Sequence, residues 1–106
     1  MELTELRSHM DDIDNQIRDL FGKRMEVAEK IAEEKRESGL PVLDRTRERE
    51  ILARLTAGLE PPMEGYTRTL FKMLFDMSRS YQGIRLERHA ALADQIRAAI
   101  AASPRR

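Results

Sequence analysis

One cation stands where a helix should be apolar, and two more flank the same face. Leu3, Leu6, Met10, Ile13, Ile17, Leu20, Val27 and Ile31 recur at three-four spacing, the mark of a helix with one buried seam. Between Leu20 and Val27 the seam asks for an apolar residue and holds Arg24, while Arg7 and Lys35 flank the same broad face near its two ends. A cation on a packing face costs several kcal/mol unless an anion meets it, on the order of the penalty for burying an unpaired charge. Any one of the three alone reads as a snorkelling side chain whose stem packs while its head reaches water; three on one face are harder to dismiss. To them the sequence adds Arg47 with Glu48, and Ser78 with Gln82, which turn one stripe of a later helix polar after Phe71 and Phe75. Guanidinium forks match carboxylates bidentately, so two or three such groups in a partly desolvated pocket specify a small dianion.

The spacing divides the cations between two sites. Arg24 and Lys35 are eleven residues apart, close to three helical turns, and share a face about 16 Å apart along the axis. Arg7 lies about 25 Å of axis from Arg24, beyond reach of the same ligand from the same helix. An antiparallel two-fold pair of first helices removes the difficulty. A crossing near Ile17 and Arg18 brings Arg7 of one chain between Arg24 and Lys35 of the other, so the expectation is a homodimer with Arg7 donated across the interface.

Other chemistries find less support. Without Cys there is no disulfide framework, redox centre or thiolate nucleophile. His9, near the exposed side of the first helix, and His89, in the charged extension, read as surface residues, and no Ser, His and Asp set has helical spacing that would join it. Asp11, Asp12 and Asp14 read as a solvated helix face rather than a metal site, and neither metal nor cofactor is expected. A formal net charge of zero argues against nucleic acid. No apolar run reaches the length of a membrane span, and the acidic N-terminus is unlike a signal peptide, so a cytoplasmic protein is expected.

The elements that must position these residues are helices. At 106 residues, 36% charged and 5% aromatic, the chain reads as one all-α domain with charged outer faces. The first helix runs from Leu3 to Glu37 with Thr4 a candidate cap, and Gly39 and Pro41 end it. The connector Leu40-Pro41-Val42-Leu43 should tuck its apolar side chains against the bundle. Asp44 caps a second helix that buries Ile51, Leu52, Leu55 and Leu59 and stops at Gly58 and Pro61-Pro62. A third starts between Pro62 and Gly65 and carries Tyr66, Leu70, Met73, Met77, Tyr81 and Ile84. The expected core is 3–82, with 83–106 a helical extension and frayed tail that could equally begin a linker. A first helix about 50 Å long exceeds what a compact monomer of this size spans, which again calls for a partner.

The residues also carry a resemblance. Leu6-Arg7 and Ile13-Asp14, then Lys23-Arg24-Met25-Glu26-Val27-Ala28 and Lys35, the run Pro41-Val42-Leu43-Asp44-Arg45-Thr46-Arg47-Glu48, and Ser78 with Gln82 together resemble the all-helical class of chorismate mutases. The likeness is to the mutase portion of bifunctional chorismate mutase/prephenate dehydratase enzymes, and it spans about Leu3 to Gln82. It implies three helices per chain in an intertwined antiparallel homodimer. It implies that Arg24 and the partner chain's Arg7 bind the two carboxylates of chorismate, and that Lys35 and Gln82, the catalytic pair, hydrogen-bond the ether oxygen of the breaking bond. Glu48 and the region of Asp44 would hold the ring hydroxyl, with Arg47 and Ser78 completing the polar wall. The activity implied is the intramolecular Claisen rearrangement of chorismate to prephenate, which needs no nucleophile, proton transfer or cofactor. Two other classes stay in play. An isochorismate-pyruvate lyase resembles the same family in fold and cationic pocket, although the Asp44 to Glu48 stretch is similar to the mutase pattern; a non-catalytic helical dimerisation module accounts for the seams but not for Arg24, Ser78 and Gln82.

Overall fold

The computed structural model describes residues 1–102, with the exception of the His89 side chain. The expected frayed tail at 103–106 and the expected surface position of His89 lie outside the described residues. Three helices make up the fold: α1 (Leu3–Glu37), α2 (Arg45–Thr56) and α3 (Met63–Ala102). Beyond residue 82 the chain stays helical and continues α3 without a break to Ala102.

Local chemistry sets the boundaries. The first helical bond runs from the Leu6 N–H to the Glu2 carbonyl (3.0 Å), so Glu2 is the N-cap, without a side-chain cap bond, and Thr4 lies inside the helix rather than capping it. At the other end Gly39 takes φ +70°, the Leu40 N–H reaches back to the Lys35 carbonyl (2.7 Å) and the Gly39 N–H to that of Arg36 (3.2 Å). This is the paired closure of a left-handed helix stop, and it turns the chain back on itself beside Lys35. The connector does not tuck in as expected. Leu40 and Leu43 stay exposed and only Val42 turns partly inward, because the close turn directs the backbone of the connector, rather than its apolar side chains, at the end of α1. Asp44 caps α2 as expected, its Oδ1 accepting from the Arg47 N–H (3.0 Å). Of the apolar set on α2, Leu52 is buried, Ile51 and Leu55 are half-buried, and Leu59 is exposed, because the helix stops at Thr56 and Gly58 turns the chain away with φ +78°.

The path is up, down, up. Contacts of Arg24 with Ser78 and Ala28 with Gln82 make α1 and α3 parallel, whereas those of Glu48 with Arg79 and Thr56 with Arg68 make α2 and α3 antiparallel. The α2–α3 corner is locked by a buried Thr56, whose hydroxyl donates to the Leu52 carbonyl (2.7 Å) and accepts from Arg68 (3.1 Å). Higher up, Arg85 donates to Glu29 (2.8 Å), and that bond, with the Glu29 charge, raises the Arg85 pKa above its ordinary value.

Among the described residues the buried apolar side chains are four: Ala28, Ala32, Leu52 and Phe75. The radius of gyration is 20.4 Å, against about 13 Å for a compact chain of this length. The seam read from Leu3 to Ile31 lies exposed along the single chain. What α1 presses against α3 is the neighbouring face, where Ala28 and Ala32 permit close approach.

Candidate active site

A cavity of about 290 Å³ opens where α1, the connector, α2 and α3 converge, near the lower end of the ~300–1,000 Å³ range of small-molecule pockets. Seven of the eight residues singled out from the sequence line it: Arg24 and Lys35 from α1, Asp44, Arg47 and Glu48 from the start of α2, and Ser78 and Gln82 from α3. Arg7 does not; it is exposed near the far end of α1.

Each side chain has a structural reason for its place. Arg24 donates to the Ser78 hydroxyl (2.7 Å) and lies over the Phe75 ring, 5.7 Å from its centroid. Ser78 is buried, and its Oγ also sits 3.8 Å from the Met25 sulfur. One turn on, Gln82 is buried and donates through Nε2 to the Ala28 carbonyl (2.7 Å), which fixes which end of the amide is which. Lys35, on the last turn of α1, donates through Nζ to the Val42 carbonyl (2.9 Å), the contact that the Gly39 turn makes available. Asp44 lines the cavity while one of its oxygens caps α2. Arg47, one turn into α2, reaches Glu50 at 3.5 Å with most of its side chain in solvent.

One lining residue escaped the sequence reading. Arg79 of α3 pairs with Glu48 through Nη1 and with Asp76 through Nη2. No local pattern marks it, because Glu48 lies 31 residues away on an antiparallel helix and an Arg beside Ser78 looks like an ordinary surface residue.

The electrostatics follow from these pairings. Four cationic side chains and two acidic ones line the cavity. Arg24 and Lys35, both half-buried, are held by a hydroxyl and a carbonyl, and among the described residues neither has a carboxylate within ion-pair distance. A guanidinium and an ammonium in a partly desolvated site with neutral partners attract an anion and can stabilise negative charge that develops on it.

The same architecture occurs in known proteins. A curated chorismate mutase from Methanocaldococcus jannaschii is 39% identical over 54 residues, which cover 51% of this chain and 54% of that protein, so the chain spans about half the length of that relative. The solved form II chorismate mutase from Thermus thermophilus superposes with a TM-score of 0.72 at 33% identity, covering 76% of this chain and 93% of that one. The family described as chorismate mutase type II matches residues 6–83, a span that contains every cavity-lining residue named above, and with an all-helical fold in agreement the chain belongs to that family.

Proposed function

We propose that the cavity binds chorismate and catalyses its rearrangement to prephenate, within a single mutase domain whose core is 3–82. The observation that carries this reading is the pair Arg24 and Lys35, two half-buried cations lining one small cavity and held, among the described residues, by neutral partners. Chorismate is a dianion, and the lining's excess of positive charge suits it. Arg24 binds one carboxylate. Lys35 and Gln82 donate to the ether oxygen, which gains negative charge as the C–O bond breaks and the new C–C bond forms; the electrons move in one cyclic step, with no proton or cofactor entering the balance. Glu48 and the region of Asp44 hold the ring hydroxyl and anchor the bound substrate, Arg47 and Ser78 complete the polar wall, and the carboxylate contacts keep the substrate in the folded conformer that brings the reacting carbons together.

The second carboxylate is given to Arg7 of a partner chain, since Arg7 lies outside the cavity of its own chain. A two-fold antiparallel dimer crossing near Ile17 and Arg18 sets Arg7 of one protomer opposite Ala28 of the other, and Ala28 lines the cavity. Exposed Leu6, Met10, Ile13, Ile17 and Leu20 form a continuous apolar face on α1 that such a crossing covers. No helix among the described residues is long and apolar enough to cross a membrane. A cytoplasmic homodimeric enzyme of the shikimate route to aromatic amino acids is part of this proposal and rests on the family's chemistry.

The test is the loss of chorismate ultraviolet absorbance with purified protein, repeated with Lys35→Ala. The expected outcome is turnover by the natural sequence and a loss of about 10²–10³-fold in the variant, the usual cost of removing one preorganised donor, with helicity and melting unchanged. Turnover in the variant close to that of the natural sequence refutes the assignment of Lys35.

A further inference from the structure

We propose that Arg79 is a positioning residue for the site: by holding one oxygen of Glu48, it presents the other oxygen to a hydroxyl of the substrate. The inference rests on the reading of the cavity given above. A carboxylate in a pocket that receives a dianion is electrostatically adverse unless a cation stays with it. Glu48 Oε2 pairs with Arg79 Nη1, whereas among the described residues Oε1 has a single distant cation, Arg45, at 4.0 Å on the exposed side. Arg79 in turn is pinned by Asp76 on its own helix, so its fork is held from two sides and Glu48 is fixed to α3 as well as to α2. Both members of the pair are well covered, with side chains 18% and 25% exposed. The pair also stands between two spaces, because Glu48 and Arg79 line the catalytic cavity and a second, more polar cleft between α2 and α3 that is edged by Arg49 and Lys72. Without Arg79, Glu48 is free to rotate further into that cleft toward Arg49 and Lys72, which edge it, taking its acceptor away from the substrate.

A contact to the ring hydroxyl is made equally in the bound substrate and in the transition state, so its loss weakens binding and leaves the chemical step almost intact. Steady-state kinetics with chorismate are therefore measured for the natural sequence, Arg79→Ala, Arg79→Lys, Glu48→Gln and the double variant Arg79→Ala/Glu48→Gln. The expected result for Arg79→Ala is a KM raised about 10- to 100-fold, the range for a charge-assisted hydrogen bond, with kcat within about threefold. Arg79→Lys, which keeps a cation against Glu48, should recover most of the loss. The double variant should lose no more in kcat/KM than the worse single variant, because Arg79 acts through Glu48 alone.

Losses that multiply in the double variant overturn the proposal, since Arg79 then touches substrate independently. A fall in kcat with KM unchanged overturns it as well, and so do unaltered kinetics in Arg79→Ala. If Arg79→Ala fails to fold, Arg79→Lys and Glu48→Gln carry the test: an Arg79→Lys protein that melts normally but shows the full loss refutes positioning by charge. A natural sequence that does not turn over chorismate removes the reading beneath the proposal, whereas an active natural sequence with an indifferent Arg79 removes the proposal alone.

Discussion

Arg7→Ala and Lys35→Ala proteins, each nearly inactive, should restore one another when mixed. The magnitude comes from the geometry of α1. Seventeen residues separate Arg7 from Arg24, about 25 Å of helix axis, and Arg7 is exposed rather than in the cavity of its own chain. In a two-fold antiparallel pair every site therefore takes Arg7 from one protomer and Lys35 from the other. Equal amounts of the variants, exchanged through mild denaturation and refolding, give heterodimers as about half of all dimers by random pairing. Each heterodimer has one site with both lesions and one with neither. The intact site draws Arg7 from the Lys35→Ala chain and Lys35 from the Arg7→Ala chain, so about a quarter of natural activity should return. The assay is the initial rate of chorismate loss before and after exchange, with native mass spectrometry to count heterodimers. If heterodimers form and the rate stays at that of the parents, each site is built within one chain and the antiparallel crossing is wrong.

Two further outcomes follow from the same placement. Gln82→Glu should turn a broad pH profile into one that falls as pH rises, because the protonated acid can still donate to the ether oxygen while the carboxylate opposes the charge developing there; a flat profile places the side chain away from that oxygen. Ile17→Lys puts like charges at the proposed crossing, and should give a helical protein that sediments as a monomer and has lost activity together with the dimer; an active dimer from this variant moves the crossing elsewhere.

What the sequence made legible was local. Gly39, Asp44 and Gly58 each follow from the backbone demand of a single position, and the long seam on α1 follows from one period. The cluster of cavity residues was legible because polar types broke that period at Arg24, Ser78 and Gln82. The face that α1 turns to α3 was not, since it is built on Ala28 and Ala32, whose small side chains leave no apolar stripe to count. Leu40 and Leu43 were misplaced by hydropathy, because the Gly39 turn sets where the connector's backbone goes and leaves those side chains outward. Arg79 with Glu48, and Thr56 with Arg68, needed the antiparallel register of α2 on α3, which no single helix encodes.

The small residues on α1 and the buried polar residues on α3 are parts of one device. With no side chain beyond a methyl at Ala28, α3 approaches closely enough for the Gln82 amide to reach the Ala28 carbonyl, and Ser78 one turn earlier meets the Arg24 guanidinium. These bonds satisfy the buried groups without exhausting them. An amide has two N–H donors and Gln82 uses one on Ala28; an ammonium has three and Lys35 uses one on Val42; a guanidinium has five and Arg24 uses one on Ser78. The first bond of each sets the direction of the rest. Donors oriented by the fold itself lose little freedom when charge develops in front of them, which is how preorganised dipoles lower a barrier without any covalent step. In a chain with so few buried apolar side chains among the described residues, the helix contact that assembles these donors is therefore also a main source of register between α1 and α3, so the proposed catalysis would draw on the same bonds as folding.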